Sequence, residues 1–228
     1  MVEIVPAILP KSFDDLESKL ALMQGEAPLV QVDVVDGVFA PNKTWPYAGG
    51  EMFSSILSGD LGLPFWEDID FQFDCMVSHP EGEIDNFITA GASSVIIHGA
   101  GSDIMPLLEK LQPNRANDFG VRVGVALLPG DDAGTFAQYK NLCDFVQVMG
   151  ISKVGFQGSE FDPRALDLIT SLRANNTALT IQIDGGVRLE NARALAQAGA
   201  NTLVVGSAIF GSSDPIVAMR ALSKEANK

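Results

Sequence analysis

The chain has 228 residues, 46% of them apolar and 19% charged, a composition that suits one sizeable globular core and excludes a disordered chain. Its formal net charge of −14 at pH 7 argues against nucleic acid or an anionic membrane as partner. It leaves a phosphorylated small molecule open, because backbone N–H groups at a helix start hold phosphate without Lys or Arg.

Short apolar runs alternate with helical patterns along the whole chain. The predicted strands are Glu3–Leu9, Leu29–Val34, Ile69–Val77, Ser94–His98, Arg122–Leu127, Phe145–Met149, Leu179–Asp184 and Thr202–Val205. Helical patterns fall between them, among them Asp14–Gln24, Pro80–Ala90, Ile104–Leu111, Pro163–Ala174 and Leu189–Ala198. Asp162-Pro163 reads as a cap followed by proline at the first helical position, and Gly199 as a C-terminal stop. The longest irregular stretch, Ala40–Asp68, contains Trp45-Pro46 and Leu63-Pro64 and is expected to carry one helix plus a loop over a binding mouth. No apolar run approaches the roughly 18 residues that span a bilayer. Met1-Val2-Glu3-Ile4 lacks the basic region of a secretion signal, so a cytoplasmic protein is expected. Cys75 and Cys143 lie far apart inside apolar runs and read as buried free thiols, with no spacing for zinc.

Eight strand–helix units of about 25–30 residues, repeated to the end, predict a (β/α)8 TIM barrel occupying residues 1–228 as one domain. A doubly wound open sheet is the rival. In such barrels chemistry sits at the C-terminal strand ends. That rule selects Asp33, Asp36, Asp74, His98, Met149 and Asp184, with the turns Asp184-Gly185-Gly186-Val187 and Gly206-Ser207-Ala208. Alternation puts Gln31, Asp33 and Val35 on one strand face. An ionised carboxylate in so apolar a run is costly unless paired, metal-bound or catalytic.

These landmarks resemble the ribulose-phosphate 3-epimerase family. Val5-Pro6-Ala7-Ile8-Leu9 resembles its first-strand Pro-Ser-Ile-Leu. The run from Gln31 to Asn42 resembles its signature His-x-Asp-x-Met-Asp-Gly-x-Phe-Val-Pro-Asn, and Gln72-Phe73-Asp74-Cys75-Met76-Val77 its Asp-x-His-Leu-Met-Val. Gly124 to Pro129, then Met149 with Gly155-Phe156-Gln157-Gly158-Ser159-Glu160-Phe161, then Asp184-Gly185-Gly186-Val187 and Val205 to Phe210, follow in the family's order. The resemblance spans essentially the whole chain. It implies 3-epimerisation of a ketose phosphate, ribulose 5-phosphate to xylulose 5-phosphate first among them, with Asp33 and Asp184 moving the C3 proton through an enediolate. Met76 and Met149 would bed the enediolate. His98 would be a substrate ligand or a support for its strand. Gly155, Gly158, Gly185, Gly186, Gly206 and Ser207 would hold phosphate. Lys153 would meet phosphate or an enolate, or be solvated, and Trp45 and Phe39 are candidates for the pocket's mouth.

The departures are as informative. The family binds a divalent metal through His, Asp, His and Asp, and the matching positions here are Gln31, Asp33, Asp74 and Asp184. Ala7 and Val35 replace a Ser and a Met, and Ser152-Lys153-Val154 stands where the family has Asn-Pro. Three outcomes are open. An oxygen-rich site could take Mg²⁺ or Mn²⁺ in preference to Zn²⁺ or Fe²⁺. Gln31 could instead donate to the oxyanion without metal, or the epimerase activity could be lost. No organic cofactor is expected, and a monomer or a homo-oligomer is compatible with the acidic surface. Two other functions stay in view: aldolase- or decarboxylase-like enolate chemistry, and a non-catalytic sugar-phosphate sensor. Against the first, Asp33 is followed by Val34-Val35-Asp36, without the Lys of the Asp-x-Lys-x-x-Asp decarboxylases.

Overall fold

Eight parallel strands pair in sequence order and close, β1 against β8, in a computed structural model that describes residues 1–99, 103–115 and 120–228. The first half runs β1 (Glu3–Ile8), α1 (Phe13–Met23), β2 (Leu29–Val35), α2 (Glu51–Leu57), β3 (Asp70–Met76), α3 (Pro80–Thr89) and β4 (Ala92–His98). Then follow α4 (Met105–Lys110), α5 (Gln112–Arg115), β5 (Arg122–Leu127), α6 (Ala133–Ala137) and β6 (Phe145–Met149). The last part is α7 (Arg164–Asn175), β7 (Thr180–Asp184), α8 (Leu189–Ala198), β8 (Thr202–Val205), α9 (Ser207–Phe210) and α10 (Pro215–Ala226). The closed barrel decides against the open sheet. No helix among the described residues is long and apolar enough to cross a membrane.

Strand alternation divides the barrel into two chemistries. Outward residues such as Val30, Val32, Val34, Phe71, Phe73, Ile181 and Ile183 join the apolar shell under the helices. Inward residues carry amides and carboxylates: Gln31 and Asp33 on β2 stand level with Gln72 and Asp74 on β3. Gln147 and Met149 on β6 stand level with Gln182 and Asp184 on β7. Below this polar belt the Phe145 ring fills the barrel opposite Gly124, where a Cβ would lie 2.4 Å from the ring. Arg122 sits over that ring at 5.1 Å from its centroid.

The helices follow local rules. Ser12 accepts from the Asp15 N–H at the start of α1, and Gly199 ends α8 with φ 119°. The Asp-Pro signature needs correcting at α7. Pro163, not Asp162, holds the boundary position, because the Asp162 carboxylate is taken by the Arg164 guanidinium and the Ser152 hydroxyl, at 2.6 Å each. It still accepts from the Arg164 N–H at 3.1 Å. The signature is met in full at α10, where Asp214 accepts from Ile216 and Val217 ahead of Pro215. Both cysteines are free and buried, and burial pushes the Cys143 thiol up to about 12.

The stretch 40–68 does carry one helix, α2. Trp45 is no rim residue, however: it is fully buried, 5.7 Å from the Phe13 ring and edge-on to Phe53 at 5.3 Å. Its neighbour Thr44 closes β2, donating to the Asp33 carbonyl at 2.9 Å and accepting from the Val35 N–H at 2.8 Å. That clamp fixes the backbone that carries Asp33.

Candidate active site

A cleft of about 490 Å³ opens at the C-terminal strand ends. Its floor holds Asp33 and Asp184, both over nine-tenths buried, with Met76 and Met149 beside them. Its wall is formed by Gly155, Gly158, Gly185, Gly186, Gly206 and Ser207, so the folded chain brings these expected site residues together around one cavity. Gly186 shows why a glycine is needed there. Its φ is 66°, and a Cβ would meet the Phe161 backbone at 2.8 Å. Among the described residues lining the cleft there is no Lys or Arg.

Asp33 and Asp184 meet through one amide. Gln31 Nε2 donates to Asp33 Oδ1 and to Asp184 Oδ2, at 2.8 Å each. Asp74 lies behind them, fully buried, and its Oδ1 is bonded to His98 Nε2 at 2.6 Å. The second Asp74 oxygen has no protein partner. Oxygens of Asp33, Asp74 and Asp184 all lie within 4.8 Å of one another. Crowding so many carboxylates in a dry interior favours protons on them. Burial first, then the charges of Asp184 and Asp74, hold the Asp33 carboxyl well above its usual range. Burial and the charge of Asp74 push Asp184 up to about 7, against the opposing Gln31 bond and the His98 charge.

Of the two roles left open for Gln31, oxygen to a metal or N–H donor, the geometry presents the donor: its N–H group faces the carboxylates, because Gln72 Nε2 and Gln182 Nε2 both donate to its oxygen. His98 is not a wall of the main cleft. It is 5% exposed, bonded to Asp74, and edge-on to Phe39 at 5.4 Å in a neighbouring hollow with Ser78 and Val154. Lys153 lines a separate surface hollow beside Glu160, so it does not reach the floor.

The sequence reading assigned no role to several residues that shape the site. Gln157 donates to the Ala7 carbonyl at 3.1 Å, and its amide lies against Gly206. Asn42 donates to the Gly155 carbonyl at 3.0 Å. The two bonds tie the loop after β6 across the cleft. Asp36 organises the other rim. It accepts from the Ser78 hydroxyl at 2.6 Å and from the N–H groups of Ser78, Val38 and Phe39 at 2.7, 2.7 and 2.8 Å. Burial alone would raise this carboxyl; those four bonds outweigh it and hold it below the usual range. A depressed carboxyl gives stability that is present above its ordinary value and lost as the pH falls. Asp36→Ala is therefore expected to cost about 2 kcal/mol at pH 7. In thermal melts the gap should shrink below pH 4; an equal gap at both ends of the range would refute the ionic role.

The donor set answers whether a divalent ion suits this site. Three converging carboxylates and one partnerless buried oxygen fit a hard cation. Gln31 as oriented does not join them.

The match to the model of the "Ribulose-phosphate 3 epimerase family" covers residues 3–210. A protein of Mycobacterium tuberculosis named ribulose-phosphate 3-epimerase is 29% identical over 233 residues, which span 98% of this chain and 92% of that one. The Arabidopsis thaliana ribulose-5-phosphate-3-epimerase, chloroplastic, is 31% identical over 224 residues, 96% of this chain and 75% of its own. Among solved structures, a 3-hexulose-6-phosphate synthase from Salmonella typhimurium superposes with a TM-score of 0.68 at 16% identity, over 99% of both chains, a likeness of fold alone. With its barrel closed in this order and the family's landmarks at the strand ends, the chain belongs to the ribulose-phosphate 3 epimerase family, a family of isomerases acting on carbohydrates.

Proposed function

We propose that the protein inverts C3 of a ketose phosphate, interconverting ribulose 5-phosphate and xylulose 5-phosphate. The observation that carries this reading is the pair Asp33 and Asp184, delivered by strands β2 and β7 to one cleft floor and bridged by one amide. Burial and neighbouring carboxylate charge raise both carboxyls, the direction that lets such a group act as an acid as well as a base. One carboxylate removes the C3 proton and the other returns one to the opposite face. Met76 and Met149 exclude water from the planar intermediate, and the N–H groups of Gly185, Gly186, Gly206 and Ser207, with Gly155 and Gly158 across the cleft, hold the phosphate. Held by Asp33, Asp74 and Asp184, a hard ion, Mg²⁺ or Mn²⁺ in preference to Zn²⁺ or Fe²⁺, would supply Lewis-acid stabilisation of the enediolate oxygens. Enolate chemistry of the decarboxylase kind would want a lysine at the floor, where Asp33 and Asp184 are flanked by methionines.

The test is proton NMR of ribulose 5-phosphate in D₂O with the protein, in EDTA and then with Mg²⁺, Mn²⁺ or Zn²⁺. Loss of the C3 proton signal with appearance of xylulose 5-phosphate is the expected result. Absence of exchange at C3 under every condition would overturn the assignment.

A further inference from the structure

Gln31 is a donor for a reason that lies below the cleft. Its oxygen accepts from Gln72 Nε2 at 2.8 Å and from Gln182 Nε2 at 3.2 Å. Turning the amide over would set N–H against N–H. Those two glutamines are themselves fixed. Gln72 accepts from the Ser94 hydroxyl at 3.1 Å, and Gln182 Nε2 also donates to Gln147 Oε1 at 2.5 Å. Gln147 Nε2 in turn faces Met149 Sδ at 3.5 Å. All four glutamines are at most 4% exposed, so water does not compete for these bonds.

We propose that this buried glutamine ladder sets the polarity of the carboxylate site. The Gln31 N–H group holds the place between Asp33 and Asp184, and a divalent ion gains that place only by displacing it. The amide already binds one oxygen of Asp33 and one of Asp184, at 2.8 Å each. Asp74 Oδ2, buried and partnerless, is an oxygen of the cluster that an ion could take without displacing the amide. Gln72 and Gln182 therefore act as positioning residues at one remove. By pinning the Gln31 oxygen away from the cleft, they hold down the cation affinity of a site whose carboxylates alone would bind well. Releasing the pin lets Gln31 present Oε1 as a further oxygen ligand. The inference takes its catalytic meaning from the proposed epimerase reading, but its test needs no substrate.

The experiment compares Mn²⁺ binding to chelator-stripped protein, by titration calorimetry, between the wild type and the double variant Gln72→Met, Gln182→Met. Methionine keeps the volume and removes the donors. The variant is expected to bind Mn²⁺ about tenfold more tightly, the scale on which residues behind metal ligands act. Equal or weaker affinity, or no binding to either protein at millimolar Mn²⁺, would overturn the proposal. A second measurement uses the wild type alone, so that it survives a variant that fails to fold. In ¹⁵N spectra of stripped protein the Gln31 side-chain N–H₂ should be protected from solvent exchange. Saturating Mg²⁺ should shift it together with the Gln72 and Gln182 amides. A Gln31 amide unmoved at saturation would refute the displacement. Because neither arm reads turnover, failure of the epimerase reading would show separately, as absent C3 exchange.

Discussion

Asp184→Asn is expected to lower turnover by about 10²- to 10⁴-fold, the share that a positioned acid–base group contributes, while making the folded barrel more stable above neutral pH. The two effects have one cause. Burial and the charge of Asp74 push the Asp184 carboxyl up to about 7, so the fold prefers its protonated form. For a raised carboxyl the associated stability is fully present below its ordinary value near 4 and is lost as pH rises through about 7. Above that pH the native state holds a charge it disfavours. Asparagine fills the same space without that charge. Melts of the two proteins should coincide near pH 4 and separate by pH 8, the variant being more stable by on the order of 4 kcal/mol. Asp33→Asn should behave likewise, for the same reason. Ligands that bind through phosphate should still bind both variants. Undiminished turnover in both would sink the two-carboxylate mechanism; coincident melts at pH 8 would mean that the fold does not raise the Asp184 carboxyl.

Gly150→Ala should damage both stability and turnover, although Gly150 contributes no side chain. The residue follows Met149 at the end of β6. Its N–H donates to the Asp184 carbonyl at 2.6 Å, and its carbonyl accepts from Asp162 at 2.8 Å. A Cβ there would lie 2.0 Å from the Gly185 carbonyl oxygen and 3.2 Å from the Phe161 ring. The nearer obstacle is backbone, so the ends of β6 and β7 must part by roughly 1 Å, a displacement that costs on the order of 10²-fold in rate when it moves a catalytic group. Overpacking of this kind also lowers stability by about 1–3 kcal/mol. Gly82→Ala, in the exposed part of α3 with nothing within 4 Å of a new Cβ, is the control and should not lower the melting temperature. Wild-type kcat/KM and melting in Gly150→Ala would refute the account.

The barrel was legible because each strand pairs an outward apolar row with turn signals at both ends. Predicted and observed limits of β5, β6, β8 and α8 coincide, whereas β4 begins two residues before Ser94. At that point the β3–β4 register shifts between Phe71 and Gln72, an irregularity no local pattern announces. The carboxylates were legible for the same reason as the strands: they interrupt apolar runs at the functional end. Their pairings were not. That His98 would spend itself on Asp74 depends on β3 and β4 lying side by side. The glutamine ladder did leave a trace. Gln31, Gln72, Gln147 and Gln182 each stand two residues before Asp33, Asp74, Met149 and Asp184, one step down the same inward row. A recurring amide at that offset in four strands marks a polar belt, but its hydrogen-bond direction needed the folded barrel. Thr44 and Gln157 act across loops, where no periodicity points to a partner.

A cleft walled by backbone amides, in a protein of net charge −14, has a consequence for how fast an anion arrives. If the glycine wall holds phosphate as proposed, its N–H dipoles would attract the anion at close range, while beyond a few ångströms the acidic surface repels it. Salt screens the second effect over a Debye length of about 8 Å at physiological ionic strength and leaves the short-range contacts largely intact. Capture of a doubly charged sugar phosphate should thus speed up as ionic strength rises, the reverse of electrostatic steering. On that reading the residence time of the bound molecule should barely change.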